Sequence, residues 1–210
     1  MWILLGCAVL TLGVCLPLFL HYKSLKLPLS LTFKSLGTLS ALIPALIGAI
    51  RLDPICWFFV CALFIHALAD FFLDLKFEIG MGFFLLGHLC YLIGFLKFFS
   101  LTIAHLILML IFIGSLGYVF YRHRHLIVKQ VLPFLLYGIV LSLMASCGIA
   151  GGATSYSLKG MMIVLGSALF FFSDCLIFLN ILYPNRPRMD WLIMATYYLS
   201  QLLLGGSCLF

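Results

Sequence analysis

Residues 157–182 read SLKGMMIVLGSALFFFSDCLIFLNIL, and from Gly160 to Leu182 a single side chain, Asp174, carries a charge. A helix rises about 1.5 Å per residue, so about 20 apolar residues cross the roughly 30 Å hydrocarbon core of a bilayer. This run is long enough, and it reads as a transmembrane helix. It also poses a problem. An unpaired carboxylate inside a membrane costs at least roughly 2.5–3.5 kcal/mol on insertion scales, so Asp174 needs a partner and a purpose.

The rest of the chain has the same character. Of its residues 65% are hydrophobic and 9% charged, with a mean hydropathy of +1.27. Soluble domains average about 45–50% apolar and about 25% charged, so a soluble fold is excluded. The expected fold is all-α, a polytopic membrane bundle forming one transmembrane domain over residues 1–210. Its helices are expected near 2–20, 29–50, 54–74, 79–97, 99–120, 130–148, 157–182 and 190–209. The breaks fall at HYKSLK, RLDP, LKFE, RHRH, GIAGGATS and YPNRPRMD. The fourth and fifth helices nearly run together at Lys97, which leaves a count of seven open. The first 20 residues have no basic leader and are long enough to span, so they read as a helix rather than a cleavable signal.

Two composition signals lose their usual meaning here. The eight cysteines include no C-x-x-C pair and most lie in apolar runs, where a thiol behaves as a small hydrophobe. The net charge of +6 is spread over the breaks between helices, so no nucleic-acid partner is expected. Lys23, Lys26, Lys76, Arg122, Arg124, Lys129, Arg186 and Arg188 fall on one side of the bundle, against Arg51, Lys97 and Lys159 on the other. The positive-inside rule puts the first group in the cytoplasm.

With that orientation the intramembrane polar groups gather in the cytoplasmic half and centre. Asp70 lies about a turn from the cytoplasmic end of its helix, Asp174 about two turns from the end of its own. Lys34, His88, Tyr91, Tyr137, Tyr197, Tyr198 and Gln201 fall at comparable depths. His66, Asp70 and Asp74 are four apart and share a helix face, as do Tyr197 and Gln201. Gly160, Ser167 and Asp174 are seven apart, so small residues that allow close packing lead down to the aspartate's face. Ordinary roles exist for several of these. Asp74, Lys76 and Glu78 suit a membrane interface, Lys34 can snorkel to the surface or pair with an aspartate, and His66 and His105 suit packed positions.

Four segments in order are similar to one family. ALADFFLDLKFEIGMGFFLLGHLCYLIGF (67–95), PFLLYG (133–138), GSALFFFSDCLIFLN (166–180) and MATYYLSQLLL (194–204) resemble the YhhN-like lysoplasmalogenases. Ala69 stands where that family usually has glycine before the first aspartate. The run after Lys34, FKSLGTL, lacks its usual proline. The resemblance implies eight helices and hydrolysis of the vinyl ether bond of lysoplasmalogens. The products are a fatty aldehyde and glycerophospho-ethanolamine or -choline. It implies Asp70 and Asp174 as catalytic residues. Lys34, Glu78, His88, Tyr91, Tyr137, Ser173, Tyr197, Tyr198 and Gln201 then serve as substrate-binding or supporting positions. The partners are a lysophospholipid and the bilayer. The expected location is the inner membrane of a bacterium, or the endoplasmic reticulum of a eukaryote.

The chemistry suits two carboxyl groups. Acid cleaves vinyl ethers by adding a proton to the enol carbon, after which water attacks the resulting oxocarbenium ion. One group donates the proton while the other orients water, as in two-carboxylate glycosidases. Asp174 is the expected acid and Asp70 the water-holding base, although the roles can be exchanged. His88 and Tyr91 would relay protons, and Lys34 would tune a carboxylate or meet the substrate phosphate. This scheme needs no metal and no cofactor. Two rivals stand beside it. One is a ceramidase-like metal hydrolase with His66, Asp70, His88 and Asp174 around zinc, although no H-x-x-x-H pair occurs. The other is a proton-coupled transporter, although no inverted repeat is apparent.

Overall fold

The computed structural model describes residues 2–123, 131–183 and 189–210, and all the regular structure among them is helical. We number the helices α1 (Trp2–Ser24), α2 (Leu29–Arg51), α3 (Cys56–Leu73), α4 (Phe77–Phe98), α5 (Ile103–His123), α6 (Val131–Thr154), α7 (Leu158–Leu182) and α8 (Met189–Ser207). Arg124, Lys129, Arg186 and Arg188, half of the basic residues assigned to the cytoplasmic side, lie outside the described residues.

Helices α1 to α7 are long and apolar enough to cross a membrane. They are outlined by exposed apolar side chains such as Leu36, Ile43, Phe64, Leu110 and Leu165, a surface that suits lipid tails. Helix α8 is more polar for a positional reason. It packs on α7, α2, α3 and α1, and its Tyr197, Tyr198, Ser200 and Gln201 are all buried against protein. Helix α5 is its opposite. It packs chiefly on α6, and His105 is its only buried side chain among the described residues.

The chain turns where its residues dictate. Lys26, with φ 55°, reverses direction between α1 and α2. Asp53 accepts the Ile55 amide at 2.9 Å to close the turn before α3. Ser157 caps α7 by accepting the Gly160 amide at 3.0 Å. Within α1, residues Val9–Cys15 widen into a π-helix just before Pro17, which lacks an N–H and crowds the preceding turn. Thr11 in this wide turn bonds to Ser40 of α2.

One helix end departs from expectation. GIAGGATS reads as a break, yet α6 runs on to Thr154 and only residues 155–157 interrupt it. The glycines are contact points here. A methyl group on Gly148 would strike Ser167, and one on Gly152 would strike Gly160 of α7. Helices α6 and α7 therefore run antiparallel along the expected Gly160–Ser167 stripe. Close packing compensates the low helix propensity of glycine. The same register continues to Tyr137 opposite Asp174.

Candidate functional site

Each aspartate has its own set of partners. Asp70 on α3 is buried, and its Oδ2 accepts hydrogen bonds from Thr38 Oγ1 at 2.5 Å and Tyr197 OH at 2.9 Å. One turn further along the same two helices, Lys34 Nζ meets Asp74 Oδ2 at 3.2 Å. Lys34 and Thr38 are four apart on α2, and Asp70 and Asp74 are four apart on α3. Antiparallel packing thus sets the two pairs face to face. Asp74, which suited a bare interfacial charge, instead pairs with Lys34, and Lys34 pairs with neither intramembrane aspartate. The lysine's backbone is held too. Tyr198 OH donates to the Lys34 carbonyl at 2.9 Å, in a slot left open by Gly37.

Asp174 on α7 is buried too. Tyr137 OH donates to its Oδ2 at 2.5 Å, and His88 Nε2 stands 3.3 Å from that oxygen and 3.0 Å from the phenol. Asp174 was expected to find Asp70, Lys34 and His88 at its depth; of these, His88 is a direct partner, joined by Tyr137. His88 Nδ1 finds no partner among the described residues. A buried N–H without an acceptor is costlier than a buried lone pair, which assigns the hydrogen to Nε2, facing the phenol and the carboxyl.

A third network joins α3, α4 and α8. Tyr91 OH donates to Gln201 Oε1 at 2.8 Å, and Gln201 Nε2 lies 3.0 Å from His66 Nδ1. His66 Nε2 lies 3.3 Å from the Phe84 carbonyl, which only accepts, so the chain of donors has one direction. Gly87 makes room for the His66 ring. Tyr91 and Gln201 therefore serve His66 and touch neither aspartate directly, although Gln201 also lies against Tyr197, the donor to Asp70. Ser173 donates to the Ile193 carbonyl at 3.1 Å and ties α7 to α8. Glu78 is exposed in the first turn of α4, apart from all three networks, where its charge suits the helix N-terminus.

Two cavities adjoin the aspartates. The first is partly open to the exterior. Its wall is apolar, with Met81, Phe84, Leu116, Phe120 and Phe134 around Asp174 and Tyr137. The second is charged: Lys23, Lys34, Asp70, Asp74 and Asp190 all border it. Leu73, Phe77, Phe84 and Ile177 belong to both walls, so the cavities are neighbours. Phe84 and Phe170 also link the two networks, each ring lying against Tyr197 on one side and His88 on the other.

Thr38 is the functional candidate that the sequence reading missed. Its signal was present: a four-residue spacing from Lys34 matches the spacing of Asp70 and Asp74. Among the described residues no three His, Cys, Asp or Glu side chains gather as a metal site requires. Both nitrogens of His66 face hydrogen-bond partners.

Fold and site define a multi-pass helical membrane protein with two buried carboxyl centres, each bordering its own cavity. The chain belongs to the YhhN family, whose model matches residues 29–208 and thereby covers all three networks. No curated protein and no solved structure matches it.

Proposed function

We propose that the protein is a lysoplasmalogenase-type ether hydrolase that uses Asp174 and Asp70 as acid and base. The observation that carries this reading is the placement of Asp174. Its carboxyl, supplied by Tyr137 and His88, borders an apolar cavity, while Asp70 borders the adjoining charged one. Membership of the YhhN family supports it.

The alkenyl chain occupies the apolar cavity and the glycerophospho headgroup the charged one, so the vinyl ether crosses the shared wall at Phe84. Asp174 delivers a proton to the enol carbon. Tyr137 and His88 orient that carboxyl and hold the proton chain behind it. The positive charge that forms on the ether carbon is stabilised by carboxylate, and water oriented by Asp70 adds there. The water loses its proton to Asp70. The hemiacetal then breaks its carbon–oxygen bond: Asp70 gives its proton to the departing glycerol oxygen while Asp174 takes the hemiacetal hydroxyl proton, which releases the aldehyde and the glycerol hydroxyl and restores both carboxyl groups.

The metal-hydrolase rival fares worse, because its proposed ligand His66 is committed to Gln201 and Phe84. The membrane we propose is the inner membrane of a bacterium, or the endoplasmic reticulum of a eukaryote. The direct test is aldehyde release from an alkenyl lysophosphoethanolamine by purified protein. Asp174→Asn and Asp70→Asn should each lower turnover by about 10²-fold or more while the protein stays folded. Near-normal turnover in both variants would overturn the reading.

A further inference from the structure

The charged cavity holds more than vinyl ether cleavage requires. Besides Asp70 it is bordered by two complete ion pairs, Lys34–Asp74 at 3.2 Å and Lys23–Asp190 at 3.0 Å. The pairs differ in exposure. The Lys34 side chain is 8% exposed and Asp74 38%, whereas Lys23 and Asp190 are 42% and 35% exposed. The inner pair is thus a nearly buried cation held against a carboxylate that still reaches the cavity. Its backbone is pinned by Tyr198, so the ammonium group is presented from a fixed base.

We propose that Lys34–Asp74 is an exchangeable ion pair that selects a zwitterionic aminoalkyl phosphate headgroup over an anionic one. The proposal rests on the lysoplasmalogenase reading only for the source of that headgroup, a lysolipid whose chain lies in the apolar cavity. The reason is charge matching around a nearly buried ammonium group. Lys34 needs a counter-ion because it is nearly buried, and Asp74 loses its own when another anion takes the lysine. A headgroup with phosphate alone takes Lys34 and strands Asp74 beside a second negative group. A headgroup with phosphate and ammonium takes both, so one ion pair becomes two and every charge keeps a partner. A primary ammonium brings three N–H donors for Asp74 and Asp190, while a trimethylammonium brings none. The cavity therefore favours ethanolamine over choline.

The test uses saturated 1-O-alkyl lysolipids, which lack the vinyl ether and cannot be cleaved. Binding of the phosphoethanolamine form is compared with that of the glycerol 3-phosphate form of equal chain length, by calorimetry on purified full-length protein in nanodiscs. The wild-type protein should bind the zwitterion about ten-fold more tightly, the scale of one charge-assisted hydrogen bond. Asp74→Asn should bring the ratio to one or below, because the anion no longer meets a carboxylate. Lys34→Met should weaken both ligands. A wild-type ratio near one overturns the proposal without any variant. So does an unchanged ratio in Asp74→Asn protein that unfolds at the wild-type temperature. If the preference holds but no aldehyde forms from the alkenyl lipid, the headgroup site stands and the hydrolase reading falls. If aldehyde forms without any preference, the reverse follows.

Discussion

Tyr137 and Asp174 face each other across the α6–α7 interface, the phenol donating to the carboxyl Oδ2 at 2.5 Å while His88 approaches both oxygens. Tyr137→Phe deletes that hydroxyl and keeps the ring, which packs 5.3 Å from the His88 ring. The variant should lower kcat by about 10–100-fold with little change in KM, because the lost contact acts on proton handling rather than on lipid binding. Aldehyde-release kinetics check this. A wild-type kcat would remove Tyr137 from the reaction.

Thr38 offers a stability test of the second carboxyl. Thr38→Val is close in shape but leaves Asp70 with Tyr197 as its remaining hydrogen-bond donor. Leaving a buried polar group less satisfied should cost about 1–3 kcal/mol, read as a lower unfolding temperature in detergent. Thr38→Ser should recover most of the loss. If serine and valine behave alike, the hydroxyl has no such role.

Gly87 and Gly82 lie on the same helix but meet different surroundings. A methyl at position 87 would collide with the His66 ring, which cannot swing away because both its nitrogens face partners. Gly87→Ala should destabilise by about 1–3 kcal/mol. At position 82 nothing lies within 4 Å, and Gly82→Ala should be neutral or stabilising by up to about 1 kcal/mol. Thermal unfolding of the pair measures the contrast, and equal shifts would contradict the packing described.

Leu116 of α5 borders the apolar cavity. Leu116→Trp should fill part of the space proposed for the alkenyl chain. KM for a long-chain substrate should rise about ten-fold, a short-chain substrate should suffer less, and kcat should change little. An equal effect on both chain lengths would place the chain elsewhere.

Chelation separates carboxyl chemistry from metal chemistry. Turnover of purified protein should be unchanged after dialysis against a strong chelator, since the proposed steps use Asp174, Asp70, Tyr137 and His88 alone. Loss of activity that added zinc restores would favour the metal-hydrolase rival instead.

The residues that matter were legible earlier than the contacts they make. Asp70, Asp174 and Lys34 were conspicuous because each is a polar group that an apolar helix does not carry without cause. Tyr137 and His88 were visible by depth. Their alliance with Asp174 was not, since depth along a helix says nothing of its rotation. Tyr91 and Gln201 shared the depth of the aspartates and yet belong to His66. GIAGGATS shows the same limit in the fold: its glycines look like a break until α7 is seen pressed against them.

Hydropathy and charge placement are one-dimensional quantities, so the chain's order of residues alone decided that it is an all-helical membrane protein. Each apolar run must satisfy its backbone internally in lipid, which leaves a helix as the open-ended choice. Which helices become neighbours is a three-dimensional matter. Antiparallel registers between α2 and α3, and between α6 and α7, bring Thr38 to Asp70, Lys34 to Asp74 and Tyr137 to Asp174. Glycine contacts set the α6–α7 approach. Only that packing divides the buried polar groups into two carboxyl centres with separate cavities, because partner choice depends on helix rotation and closeness that no single run of residues encodes.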